Sequence, residues 1–178
     1  MNVLRRRYWI NGGLLALAGG LAALAWFDPG QESPVISPLL PIPINQIEQI
    51  TVVRPGQETL AFTRQDQRWR MTAPDSGWAN PVLIQRVLDV VNLRCPRQYP
   101  VTELDLPTLQ LKPSRLQLQL NEWEIHFGGT TPANGLRYLQ VGATIHFCPD
   151  ALYPLLTSAA AGFLAPLIEP FSSATKAH

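Results

Sequence analysis

Charge is scarce in this chain. Only 15% of its residues are charged, and the 14 Lys and Arg against 13 Asp and Glu leave a formal net charge of +1. Setting Arg5, Arg6 and Arg7 aside, acids and bases nearly balance, so no basic field exists to draw in nucleic acid. Cysteine is almost missing too. Two cysteines in 178 residues are too few for a disulfide scaffold and enough for one bridge. No G-x-S-x-G elbow, paired acidic motif or phosphate loop occurs, which removes the commonest sequence signatures of hydrolases and nucleotide enzymes. No catalytic, cofactor-binding or metal-ligating residue is assigned on sequence grounds.

What the chain does contain is apolar residues, at 46%, and 17 prolines. The apolar content is too high for a wholly disordered polymer, and the length suits one domain plus an appendage. Tyr8 to Phe27 reads YWINGGLLALAGGLAALAWF without a charge. At ~1.5 Å per residue, the stretch 9–27 is roughly 28 Å long as a helix, about one hydrocarbon core. Trp9 at one end and Trp26 and Phe27 at the other suit the two interfacial aromatic belts. Arg5, Arg6 and Arg7 should remain cytoplasmic by the positive-inside rule, which sends the rest of the chain across the membrane. The rival reading is a cleaved signal peptide, with Ala23-Leu24-Ala25 as the cleavage site. Either reading exports the body.

The expected organisation is a basic start (1–8), a transmembrane anchor (9–27), a spacer (28–43), an exported domain (44–165) and a C-terminal tail (166–178). The spacer, DPGQESPVISPLLPIP, carries five prolines and reads as extended and semi-rigid. Within the domain, Ile47–Arg54, Glu58–Arg64 and Gln67–Met71 have strand character, the first two joined by a Pro55-Gly56 turn. Asn80-Pro81 opens a helix in which Val82, Leu83, Val87, Val90 and Val91 recur at helical spacing as far as about Arg94. Arg115–Leu120, Trp123–Phe127, Leu136–Val141 and Thr144–Cys148 predict four more strands. Pro149-Asp150 starts a last helix running through Leu156. The fold class is therefore α+β, β-β-β-α-β-β-β-β-α, on an antiparallel sheet.

Several of these motifs occur together. An Ile-x-x-Ile-x-Val opening strand, Ile47 to Val52, leads to Trp69-Arg70 and Thr72-Ala73-Pro74. After the helix comes Leu109-x-Leu111-x-Pro113, then a strand pair ending Phe127-Gly128-Gly129-Thr130-Thr131-Pro132, then Arg137-Tyr138-Leu139-Gln140-Val141. Over about residues 44–165 this order resembles the bacterial family called domain of unknown function 4340. This sequence has Leu109-Gln110-Leu111-Lys112 where family members often have Tyr-Gly-Leu before the proline. The resemblance implies a bacterial, membrane-anchored periplasmic protein, of a family often found beside ABC-type export or gliding-motility components. It brings no catalytic residues.

Three constellations remain. His126 and His146 lie in matching Ile-His-Phe triplets and could share a metal if cross-strand neighbours, with Glu124 or Asp150 as a third ligand. The blander reading makes both solvent-side, with the flanking Ile and Phe taking the core face. Cys95 and Cys148, each followed by proline, are either a bridge or two separately buried thiols; a Cys148–His146 nucleophile would need an orienting partner. Trp78, in the polar run Asp75-Ser76-Gly77-Trp78, either anchors a partner or folds back over the neighbouring helix. The function these readings favour is a non-enzymatic, membrane-tethered periplasmic interaction module. It would be an accessory subunit touching lipid through its helix and another membrane or periplasmic protein through its domain. The alternative is a ligand-binding accessory domain of an ABC-type export or envelope system, with its pocket between sheet and helix.

Overall fold

Alternating apolar residues pair into one nine-stranded antiparallel sheet in the computed structural model, which describes residues 11–20, 22–23 and 37–166. The chain divides into two compact units, Met1–Val35 and Ile36–His178. In the first, residues 11–20 and 22–23 are helical and exposed. No helix among the described residues is long and apolar enough to cross a membrane. Arg5, Arg6, Arg7, Trp9, Trp26 and Phe27, on which the anchor reading depends, lie outside the described residues.

The second unit runs β1 (Gln49–Val53), β2 (Leu60–Gln65), β3 (Arg68–Ala73), β4 (Gly77–Trp78), α1 (Pro81–Leu88), β5 (Arg97–Pro100), β6 (Leu116–Leu120), β7 (Trp123–Thr130), β8 (Arg137–Val141), β9 (Thr144–Cys148) and α2 (Tyr153–Leu156). Its spatial order is β4-β3-β2-β1-β6-β7-β8-β9-β5. Two meanders thus run outward from a central β1–β6 pair, each followed by a helix. Ile50 faces Leu120 and Val52 faces Leu118 across that pair, all four buried. Asn121, in the tight turn after β6 at φ 51°, ties the centre together. Its Oδ1 accepts from the Glu48 and Gln49 amides at 3.0 and 3.1 Å, and its Nδ2 donates to the Gln46 carbonyl at 2.9 Å.

The α+β class and the seven expected strands are present, and two more form the sheet's edges. β4 has two residues, and β5 lies between Pro96 and a terminal Pro100 with all four residues exposed, so neither shows an alternation to read. Asn80 caps α1 as its sequence suggests, its Oδ1 accepting from the Val82 amide at 3.0 Å. The α-helix stops at Leu88 and tightens into a 3-10 turn over Asp89–Asn92. Val82 is 61% exposed, and Ile84 and Leu88 take the core positions with Val87, Val90 and Val91. The last helix begins at Tyr153, not at Pro149-Asp150, because the Asp150 carboxylate is turned to Arg137 and does not cap it.

The spacer also needs correcting. Leu39 and Leu40 are buried in the main core, and their amides donate to the Leu93 and Val91 carbonyls. The domain therefore takes in residues from before the expected boundary at Ile44. At the other end Phe163 is fully buried against Phe62, and Leu164 bridges Ala79.

Between β5 at one edge and β6 near the centre, the segment from Val101 to Arg115 must return past β9, β8 and β7. It passes on the side away from the main core. Gly128, which alternates with buried Phe127, is where it comes closest: a methyl group there would collide with the Leu109 carbonyl oxygen. The Gly129 amide donates to that same oxygen at 2.8 Å. Gly128-Gly129 is therefore part of β7, at an irregularity between Phe127 and Thr130, and not of a turn. Leu111 and Ile145 are buried apart from the main core cluster, so the sheet carries apolar packing on both faces at this end.

Candidate functional site

Trp78 stands on edge strand β4, opposite Arg70 of β3, on the face turned away from Met71 and the core. It stays 39% exposed and does not fold over the helix. Instead the Arg68 guanidinium carbon lies 4.2 Å from the centre of its ring, and that of Arg70 lies 5.9 Å away. Arg70 Nη2 also donates to Ser76 Oγ at 3.2 Å. Arg68 and Arg70 alternate with Trp69 along β3, so pairing β3 with β4 is enough to bring both cations to one indole. The Trp78 carbonyl accepts from the Ala165 amide at 2.8 Å, which holds the strand while its side chain faces solvent. A large rigid aromatic between two arginines is the chemistry enriched at protein contact hot spots.

On the opposite face of the same hairpin lies a cleft of 480 Å³ between β2–β3 and α1. Trp69, paired with Arg64 across the hairpin, forms its floor with Ile84 and Leu88, and Arg68 and Gln67 reach its mouth.

The two histidines do not meet. His126 faces Gln117 and Gln140 on the outward side, whereas His146 faces Leu139 and Gln98 on the core side. The reading that places both on the solvent side, under inward Ile and Phe, fails for β9. Ile145 and Phe147 point away from the main core, into a cluster in which Phe147 contacts Tyr138 and Tyr99 edge-on, at 5.0 and 5.3 Å between ring centres. Alternation alone does not say which side of a strand is covered. Glu124 Oε2 lies 3.6 Å from His126 Nε2. No group of three His, Cys, Asp or Glu that could hold a metal comes together among the described residues.

Burial pushes the His146 imidazole below its ordinary pKa. The unfolded chain takes up a proton as pH falls through about 6.5 while the folded site resists it, so stability is present above that value and declines below it. The wild type should therefore lose more stability between about pH 7 and about pH 5 than His146→Gln does. Urea midpoints at the two pH values test this; equal losses in both proteins would remove His146 as the cause.

Cys95 and Cys148 are brought together in a disulfide, with Cα atoms 4.4 Å apart, so Cys148 offers no thiol beside His146. The most highly organised polar contact went unseen in the sequence. Arg137, only 6% exposed, donates from Nε and Nη2 to the two Asp150 carboxylate oxygens at 2.6 and 2.7 Å. Its Nη1 donates to the Gly128 carbonyl at 2.5 Å, and the guanidinium lies 3.6 Å from the centre of the Tyr153 ring. Three donors and one face of the group are thus occupied, the pattern of a structural ion pair. Arg54 is likewise buried, its guanidinium donating to the Glu58 and Ser158 carbonyls. Neither a protein-family model, nor a curated protein, nor a solved structure matches the chain.

Proposed function

We propose that this chain is a non-enzymatic, membrane-tethered periplasmic interaction module, an accessory subunit of a bacterial inner-membrane complex. In this reading 9–27 is a single-pass anchor, Arg5, Arg6 and Arg7 hold the N-terminus in the cytoplasm, and the likeness to the family of unknown function 4340 reflects common descent. The observation that supports it most is Trp78, an exposed indole held by two arginines on a sheet edge. Such a surface meets a partner without further ordering of the anchor residue, which keeps the entropy lost on association low.

Full-length protein isolated from native membranes in mild detergent should bring a defined membrane protein with it. Trp78→Ala should weaken that capture by about thirtyfold, as for an interface residue worth about 2 kcal/mol. The substitution touches no core contact, so its melting temperature should stay near wild type. A wild-type protein that purifies alone, or a variant that retains every partner, would defeat the proposal.

A further inference from the structure

We infer that the cleft between α1 and the β2–β3 hairpin binds a small amphipathic anion, a carboxylate or phosphate head on an apolar body. Its volume, 480 Å³, lies within the range of small-molecule sites. Ile84, 1% exposed, and Trp69 offer an apolar bed of the kind that buries a ligand's body.

Arg64 and Arg68 both line the cleft, and among the described residues no Asp or Glu does. Arg64 donates through Nη1 to the Asn45 carbonyl at 2.9 Å and forms no ion pair among the described residues. The Arg68 guanidinium is drawn over the Trp78 ring, 4.2 Å from its centre, on the opposite face of the hairpin, so Arg64, paired with Trp69, is the cation that faces the bed. Asp89, just past the end of α1, is engaged by Gln85 Nε2 at 3.0 Å. A guanidinium over an apolar floor suits an anion that carries its own hydrophobic surface.

The turn at the mouth points the same way. Asp66 and Gln67 join β2 to β3 with φ of 47° and 62°, the left-handed region that such two-residue turns usually fill with glycine. A side chain kept at this cost is expected where it has a use, and the Gln67 side chain lines the cleft.

The test is calorimetric titration of the full-length protein in zwitterionic lipid nanodiscs, with empty nanodiscs as reference. The probes are 2-naphthoate and the neutral 2-naphthamide. Naphthoate should bind, and the amide should bind about tenfold more weakly, since it forfeits the charge-assisted hydrogen bonds. Arg64→Gln should bring naphthoate down to the affinity of the amide, and Arg64→Lys should recover part of the difference. Trp78→Ala should retain naphthoate binding, so the cleft and the proposed partner surface fail or stand separately. Equal affinity of the two probes for wild type, unchanged binding in Arg64→Gln, or no binding by protein that melts cooperatively would each overturn the inference.

Discussion

Asp150→Ala should destabilise the domain by about 2–4 kcal/mol, because it strands a guanidinium that the fold has withdrawn from water. Arg137 has three hydrogen-bonding sites satisfied and one face on Tyr153, and two of the three bonds go to Asp150. Truncating the acid leaves a charge beneath the sheet with the Gly128 carbonyl as its remaining acceptor. The lower part of the range applies because the Asp150 side chain is 23% exposed and some solvent already reaches the pair. Arg137→Met should cost less, since the carboxylate it leaves behind can rehydrate and the methionine fills the space. Arg137→Met combined with Asp150→Leu should cost less than the sum of the single changes, because no charge is then left buried. Urea unfolding with an unchanged slope measures each difference. Equal costs for Asp150→Ala and Arg137→Met would show that burial of the cation is not what makes the pair matter.

Much of the sheet could be read because its residues obey one local rule. Leu116, Leu118 and Leu120 alternate with Gln117 and Gln119, and all three leucines are fully buried. The start of α1 was legible for a similar reason, since Asn80 and Pro81 act within one turn of the helix they begin. Legibility ended where a rule needs a partner from elsewhere. Ile145-His146-Phe147 has the same alternation as Ile125-His126-Phe127, yet its Ile and Phe point to the other face of the sheet, which only the register with β8 reveals. Leu39 and Leu40 sit among prolines that signal extended chain. The backbone bends over residues 39–42 and runs beside Val91 and Leu93, so proline content did not keep these side chains out of the core.

The site divides in the same manner. Trp78 drew attention as an aromatic in a polar stretch, but its arginine neighbours follow from the β3–β4 register, which a two-residue strand does not announce. The cleft required Arg64 and Trp69 to face each other across β2 and β3, and α1 to lie over them. Arg137 and Asp150 are thirteen positions apart, and what brings them together is the pairing of Arg137 with Cys148. The alternation had shown which residues point the same way, whereas function depends on what they meet there.

Replacing both cysteines, Cys95→Ala with Cys148→Ala, should lower stability by about 3–4 kcal/mol in the chain-entropy account of cross-linking. The bond joins residues 53 apart, so the unfolded chain regains the freedom of a long loop when it is removed. Deleting the fully buried Cys148 sulfur adds a small packing loss within that range. For a domain of this size the melting temperature should drop on the order of 10–15 °C. The loss should not be uniform. β5 is an edge strand with every residue exposed, held by β9 on one side and by the disulfide just before its first residue. Its amides should therefore show the largest rise in hydrogen exchange, ahead of those of the central β1–β6 pair. The bond also bears on the proposed location, because structural disulfides persist in the periplasm and are rare in the bacterial cytoplasm. Thiol labelling of protein taken directly from cells should find both cysteines blocked until a reductant is added. Free thiols in that sample would contradict export of the domain, and an unchanged melting temperature on reduction would contradict the energetic role assigned to the bridge.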